Sequence, residues 1–331
     1  MLTHLSNWFG RIAAASAASA LALVAVAPAQ AQTSGWPERP VRIVVPFPAG
    51  GSTDLLARVL ATHLGKSLGQ NFIVDNRGGA NGNLGAAFVA TAPADGYTLM
   101  VTTTGPLALN KFMYKSTPFD SLKDFTPISK VSEIPLIVAA HPSVPARDLR
   151  ELVAYAKAHP GELTYSTTGL GSMGNLTALL FQQQTGIKLT HVPYTGSAQA
   201  LKDLLGGVVN LSFDLAPNYA QHVATGKLQA LAVTSLQRSP MFPQTGTLNE
   251  QGVKNFQATG WIAIVGPANL PPDVVRKAGG AVNSFLASAE GKEALQKLGM
   301  EPTGGTPAQL AEFMRQEINT WKPIAESVNV E

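Results

Sequence analysis

Residues Val41–Gly65 read VRIVVPFPAGGSTDLLARVLATHLG. Four of the first five residues are β-branched, which fits a strand buried within a sheet. PFPAGGS carries two prolines and two glycines, so the chain must turn there. Leu55, Leu56, Val59 and Leu60 then recur at helical spacing. The unit is strand, Gly-rich loop, helix, and it repeats. Phe72–Val74 precedes DNRGGANG and the helical NLGAAFVATA. Leu99–Val101 precedes TTTGP, and Leu163–Ser166 precedes TTGLGS and another helix. This alternation predicts an α/β fold with a largely parallel sheet.

The remaining segments fit the same pattern. Leu136–Ala140 reads as a strand, and Asp148 with Glu151 makes a helix start that HPG at 159–161 stops. Ser197 is placed to cap a helix carrying Leu201, Leu204 and Leu205. A strand over Val208–Phe213, a short helix in PNYAQHVATG and a strand over Leu228–Val233 follow. The tail from Pro271 to Val328 reads as mostly helical, with helix ends at Gly291, Gly299 and around Pro323. LIVAAHPSVPARDL (136–149) and IAIVGPANLPPDVV (262–275) echo each other as strand, Pro-rich turn and helix start, suggesting two similar half-structures.

Arg11, the apolar run Ile12–Val26 and the small-x-small pattern Ala29-Gln30-Ala31 predict a signal peptide over residues 1–31, cleaved after Ala31, and export to the periplasm. The 300 residues that follow suit two domains better than one. The chain has no cysteine, so it has neither disulfides nor thiolate metal sites. Net charge is +3 and 14% of residues are charged, against about 25% in typical proteins. No basic stripe offers itself to nucleic acid. The histidines show no pairing at ligand spacing, so neither a metal nor another cofactor is expected. Trp36, Trp261 and Trp321 read as core or domain-edge packing.

Ligands of parallel sheets bind beyond the carboxyl ends of the strands, where helix N-termini present unpaired N–H groups to anions. Four loops qualify: Pro46–Asp54, Arg77–Asn83, Thr102–Pro106 with Thr104, and Thr167–Asn175. The fourth has Gly169, Gly171 and Gly174 at the spacing of a dinucleotide-binding loop. That reading requires an acid about 20 residues on, and LTHVPYTGS has none. A nucleophile elbow around Ser172 would make an exported serine hydrolase, but Leu170 replaces its first glycine and no histidine is favoured as partner.

Trp36–Leu99, DFTPIS (124–129), HVPYTGSAQALKDLLGG (191–207) and TGKLQALAVTSLQRSP (225–240) together resemble the Bug-type receptors, the solute-binding proteins of tripartite tricarboxylate transporters. The resemblance spans essentially all of the chain beyond residue 31. It implies a type II periplasmic binding protein fold, with two α/β domains and a ligand cleft between them. Domain 1 would comprise residues 32–133 and 260–331, and domain 2 residues 134–259. It implies a monomeric receptor, not an enzyme, that binds a small carboxylate and delivers it to membrane permease subunits; presentation to a sensor kinase is the alternative. The implied ligand residues of the first loop are Phe47, Ala49, Gly50, Gly51, Ser52, Thr53 and Asp54. Those of the second are Thr167, Thr168, Gly169, Gly171 and Ser172, with Tyr194 and Asp214 tuning the far end of the ligand. Neither loop holds Arg or Lys, so backbone groups, hydroxyls and bridging waters would anchor the carboxylate. Two departures stand out. Asn175 replaces a histidine common in the family, which bears on ligand choice, and TGTLNE (245–250) replaces PTxxE.

Overall fold

The computed structural model describes residues 35–328. The signal peptide expected over residues 1–31 lies outside them. Strand β1 (Val41–Val45) feeds helix α1 (Ser52–Leu68), whose Leu56, Leu60 and Leu64 are fully buried. Gly69, in the left-handed region, ends α1 by donating to Gly65 O at 3.1 Å. Strand β2 (Phe72–Asn76), a 3₁₀ turn (Ala80–Gly82), helix α2 (Asn83–Ala90) and strand β3 (Thr98–Thr103) follow. A π-helical turn (Gly105–Leu109) leads into the short α3 (Asn110–Met113).

Strand β4 (Phe125–Ala140) is much longer than the five residues expected. The middle of the chain adds α4 (Leu149–Ala158), β5 (Thr164–Thr167), α5 (Met173–Thr185), β6 (Thr190–Pro193), α6 (Ser197–Leu205) and β7 (Leu211–Leu215). A 3₁₀ turn (Ala216–Tyr219), α7 (Ala220–Ala224), β8 (Gln229–Val233) and β9 (Thr259–Pro267) come next. The tail is α8 (Pro272–Ala287), α9 (Ala289–Lys297), β10 (Glu301–Pro302) and α10 (Pro307–Ala325).

The fold is α/β, but the sheet is mixed rather than largely parallel. Its main path runs β2-β1-β3-β9-β4-β7-β5-β6. The β1–β2, β1–β3, β5–β6 and β5–β7 pairs are parallel, while β4 and β9 run antiparallel to all their partners. β4 changes partner midway. Pro135 pairs with Thr259 of β9, and the next residue, Leu136, pairs with Leu215 of β7.

Separate apolar clusters flank the sheet. One joins Ile43 of β1, Leu60 of α1, Ile264 of β9 and Phe285 of α8. Another joins Val138 of β4, Phe181 of α5, Phe213 of β7 and Trp321 of α10. Each such side chain contributes about 1.5–3 kcal/mol on burial.

The tail departs from expectation at one point. Gly291 does not end a helix. It lies in the first turn of α9, capped by Ser288 Oγ at 3.0 Å, where a Cβ would stand 1.9 Å from Phe285 O. α10 ends at Ala325, two residues past Pro323 and close to the expected stop.

Candidate functional site

A cavity of about 420 Å³ opens where β4 changes partner. Three helix N-termini reach it. Gly51, Ser52 and Thr53 bring the start of α1; Ser172, Met173 and Gly174 that of α5; Gly196 and Ser197 that of α6. The first N–H groups of a helix lack intrahelical acceptors and carry partial positive charge. At α1 and α6 the N-cap is glycine, and no side chain occupies those donors. Ser197 is therefore the first residue of α6 and not its cap. At α5 the N-cap is Ser172, whose Oγ accepts from Asn175 N at 3.2 Å and donates to Gly169 O at 2.8 Å.

All four Gly-rich loops contribute. Phe47 joins from the first, Asn81 from the second, Thr103, Thr104 and Gly105 from the third, and Thr168 and Gly171 from the fourth. Asn81 is held by Asn110, which donates to Asn81 O and accepts from Asn81 Nδ2, both at 3.0 Å. Thr104 Oγ1 is buried without a hydrogen-bond partner. Gly174 is needed for a close approach: a Cβ there would lie 2.1 Å from Phe213 O, so only glycine seats α5 on β7.

The other residues singled out from sequence hold the loops and do not line the cavity. Ala49 and Gly50 are exposed. Asp54 is buried and accepts from Gly50 N (2.8 Å), Arg58 Nε (3.0 Å) and Asn76 Nδ2 (3.0 Å). Burial alone would raise its carboxyl, but Arg58, Gly50 and Asn76 outweigh it and lower it. Thr167 Oγ1 sits 2.8 Å from His191 Nε2 and accepts from Gly169 N. Asn175 Oδ1 accepts from Gly171 N at 3.2 Å. Tyr194 donates to Asp203 at 2.8 Å, and burial followed by that carboxylate pushes its hydroxyl up to about 12.

Asp214 does line the cavity and is the one ionisable side chain among the described lining residues. Burial raises its carboxyl, opposed by hydrogen bonds from Ser197, Leu215 N, Asn218 and Tyr219. The rest of the wall is apolar and comes from positions that carry no local signal of a site: Leu109 of the π-helical turn, Ile134 and Leu136 of β4, Leu215 at the end of β7, and Gly260, Trp261 and Ile262 of β9.

This chemistry suits holding an anion by N–H groups and hydroxyls. It does not suit nucleophilic catalysis. Ser172 gives its proton to a backbone carbonyl, and no histidine is among the described lining residues. No group of His, Asp and Glu among the described residues could hold a metal.

Residues 56–330 match the family described as the tripartite tricarboxylate transporter family receptor, TctC. The chain belongs to this family. Members of the TctC family are periplasmic solute-binding receptors and not enzymes. The chain is 39% identical over 290 residues to protein BugT of Bordetella pertussis, covering 87% of this chain and 89% of BugT. Among solved structures it resembles R. palustris Rpa4515 with adipate, at 38% identity and a TM-score of 0.79, covering 88% of this chain and 98% of that one. It also resembles MatC (Rpa3494) from Rhodopseudomonas palustris with bound malate, at 31% identity and a TM-score of 0.76, covering 88% and 100%.

Proposed function

We propose that this TctC receptor binds a small organic acid in the cavity and delivers it to the membrane subunits of a tripartite transporter. The observation that carries the reading is the meeting of three helix N-termini, rich in Gly, Ser and Thr, on a cavity with no Arg or Lys among its described lining residues. A carboxylate there would be held by backbone N–H groups and by the hydroxyls of Ser52, Thr53 and Thr104. The adipate and malate carried by two similar structures support this ligand class. Residues 32–133 with 260–331, and 134–259, would form two domains that close on the ligand, with the partner change in β4 as the bend. The protein would work in the periplasm as a monomer, released by cleavage after Ala31.

Calorimetric titration with adipate, malate and a panel of other mono- and dicarboxylates tests the reading. Saturable binding of at least one acid, recovered unchanged, is expected. Binding of none, or conversion of the acid, would overturn it. Delivery is tested by uptake of the bound acid in cells lacking the receptor. Uptake should fall; normal uptake with a lost transcriptional response to the acid would make a sensor kinase the partner. Scattering should show a smaller radius of gyration with saturating acid, and an unchanged radius would refute closure.

A further inference from the structure

We propose that Glu317, which lies outside the cavity on α10, is a positioning residue: its carboxylate holds the indole of Trp261 in the cavity wall. The inference rests on the reading that this cavity receives the acid. Trp261 Nε1 donates to Glu317 Oε2 at 2.7 Å, within the range of a charge-assisted bond. Phe313, also on α10, meets the same indole edge to face, with ring centroids 5.2 Å apart and planes at 72°. One helix therefore fixes both the direction and the tilt of the ring. Trp261 is 1% exposed and lines the cavity beside Ile134, Leu136 and Leu215, where an acid's carbon chain would pack.

Packing alone does not account for a glutamate here. A leucine would fill similar space without the desolvation penalty of a buried carboxylate. The surrounding groups are arranged around that carboxylate. Burial raises it, while Trp261, Lys130 and Trp321 oppose the rise and Glu133 adds to it. Lys130 also pairs with Glu133 and lies over the Phe313 ring at 3.8 Å. Glu133 is the cross-strand neighbour of Trp261.

The position of the ring matters because of where it sits. Ile134 pairs with Gly260 and Pro135 with Thr259 just before β4 leaves β9 for β7. α10 packs on β4, on the π-helical turn at Gly105–Leu109 and on α5. Both of these last two elements supply cavity residues. If the acceptor at Glu317 is removed, the indole N–H is left buried and unpaired, and the ring must turn towards polar groups in the cavity.

The test compares Glu317→Leu, Glu317→Gln and Trp261→Phe in the full chain. Glu317→Gln keeps an acceptor and should stay within about threefold of the parent in adipate or malate affinity, whereas Glu317→Leu should lose about tenfold or more. The emission of Trp261, taken in the parent and in each Glu317 variant as the difference from the same protein carrying Trp261→Phe, needs no ligand and leaves out Trp321, which also bonds Glu317. In Glu317→Leu it should shift and become more accessible to acrylamide, while in Glu317→Gln it should match the parent. Unchanged Trp261 emission in a folded Glu317→Leu would overturn the proposal. So would equal affinity losses in both Glu317 variants, which would mark a merely structural role. A parent that binds no acid, yet shows the Trp261 shift in Glu317→Leu, would sink the ligand reading and leave the indole positioning standing.

Discussion

Replacing Ser172 with alanine separates a helix cap from a ligand contact. In the structure the hydroxyl is fully engaged: it accepts from Asn175 N and gives its proton to Gly169 O. Loss of an N-cap acceptor costs about 1 kcal/mol. Loss of the bond to Gly169 O costs about another 1 kcal/mol. The sum of about 2 kcal/mol lowers the melting temperature by roughly 4 °C in a chain of this size. Because the proton is committed to a carbonyl, Ser172 is not a principal donor to an anion. Affinity for a bound acid should then fall less than about tenfold, through loosening of the first turn of α5. Ser172→Gly is the control, since glycine at an N-cap loses only a few tenths of a kcal/mol on that count. Differential scanning calorimetry and titration with the bound acid measure both quantities. A hundredfold loss of affinity with an unchanged melting temperature would refute the reasoning and make the hydroxyl a direct anchor.

Gly174→Ala forces a Cβ against Phe213 O and should destabilise the protein by roughly 1–3 kcal/mol while displacing the start of α5; parental stability in a denaturant titration would contradict that close approach. Asp54→Ala leaves Gly50 N, Arg58 and Asn76 without their shared acceptor and should cost about 1–3 kcal/mol, with faster hydrogen exchange confined to the Pro46–Asp54 loop as the signature. Asp214 sets a pH dependence. At low pH its carboxyl is protonated in both folded and unfolded chains. As pH rises through the ordinary aspartate value the unfolded chain ionises first, so stability falls until the raised folded value is passed. Asp214→Asn should therefore melt higher relative to the parent at pH 8 than at about pH 3, below the ordinary aspartate value, and an equal difference at both would rule out this titration.

The parts of the site built from local geometry were readable in the sequence. Each Gly-rich loop between a strand and a helix placed residues at the cavity, because short βα connections fix where a helix begins. The roles within those loops were less readable. Asp54, Thr167, Asn175 and Tyr194 sit in or beside the right loops, but their side chains turn back to hold backbone or a neighbouring acid. Nothing in residue spacing distinguishes a side chain that braces a loop from one that faces a ligand. The apolar wall was hidden for another reason. Ile134, Leu136 and Trp261 meet only because β4 and β9 pair across more than a hundred residues, and local periodicity does not encode the direction of a distant partner. The mixed sheet went unread for the same reason. Trp261 packs as its sequence context predicts, with its other surface on the cavity.

The described lining of the cavity includes no Arg or Lys, and this has a kinetic consequence. The fields of helix ends fade within about one turn, so they capture an anion on arrival and do little to draw it from a distance. Long-range steering needs net charge around the mouth of a site. An acid entering such a cavity would associate at the ordinary rate for a diffusing small molecule, and added salt would slow it little. On leaving, it would have no ion pair to separate. Discrimination between acids would then reside in how long each one stays.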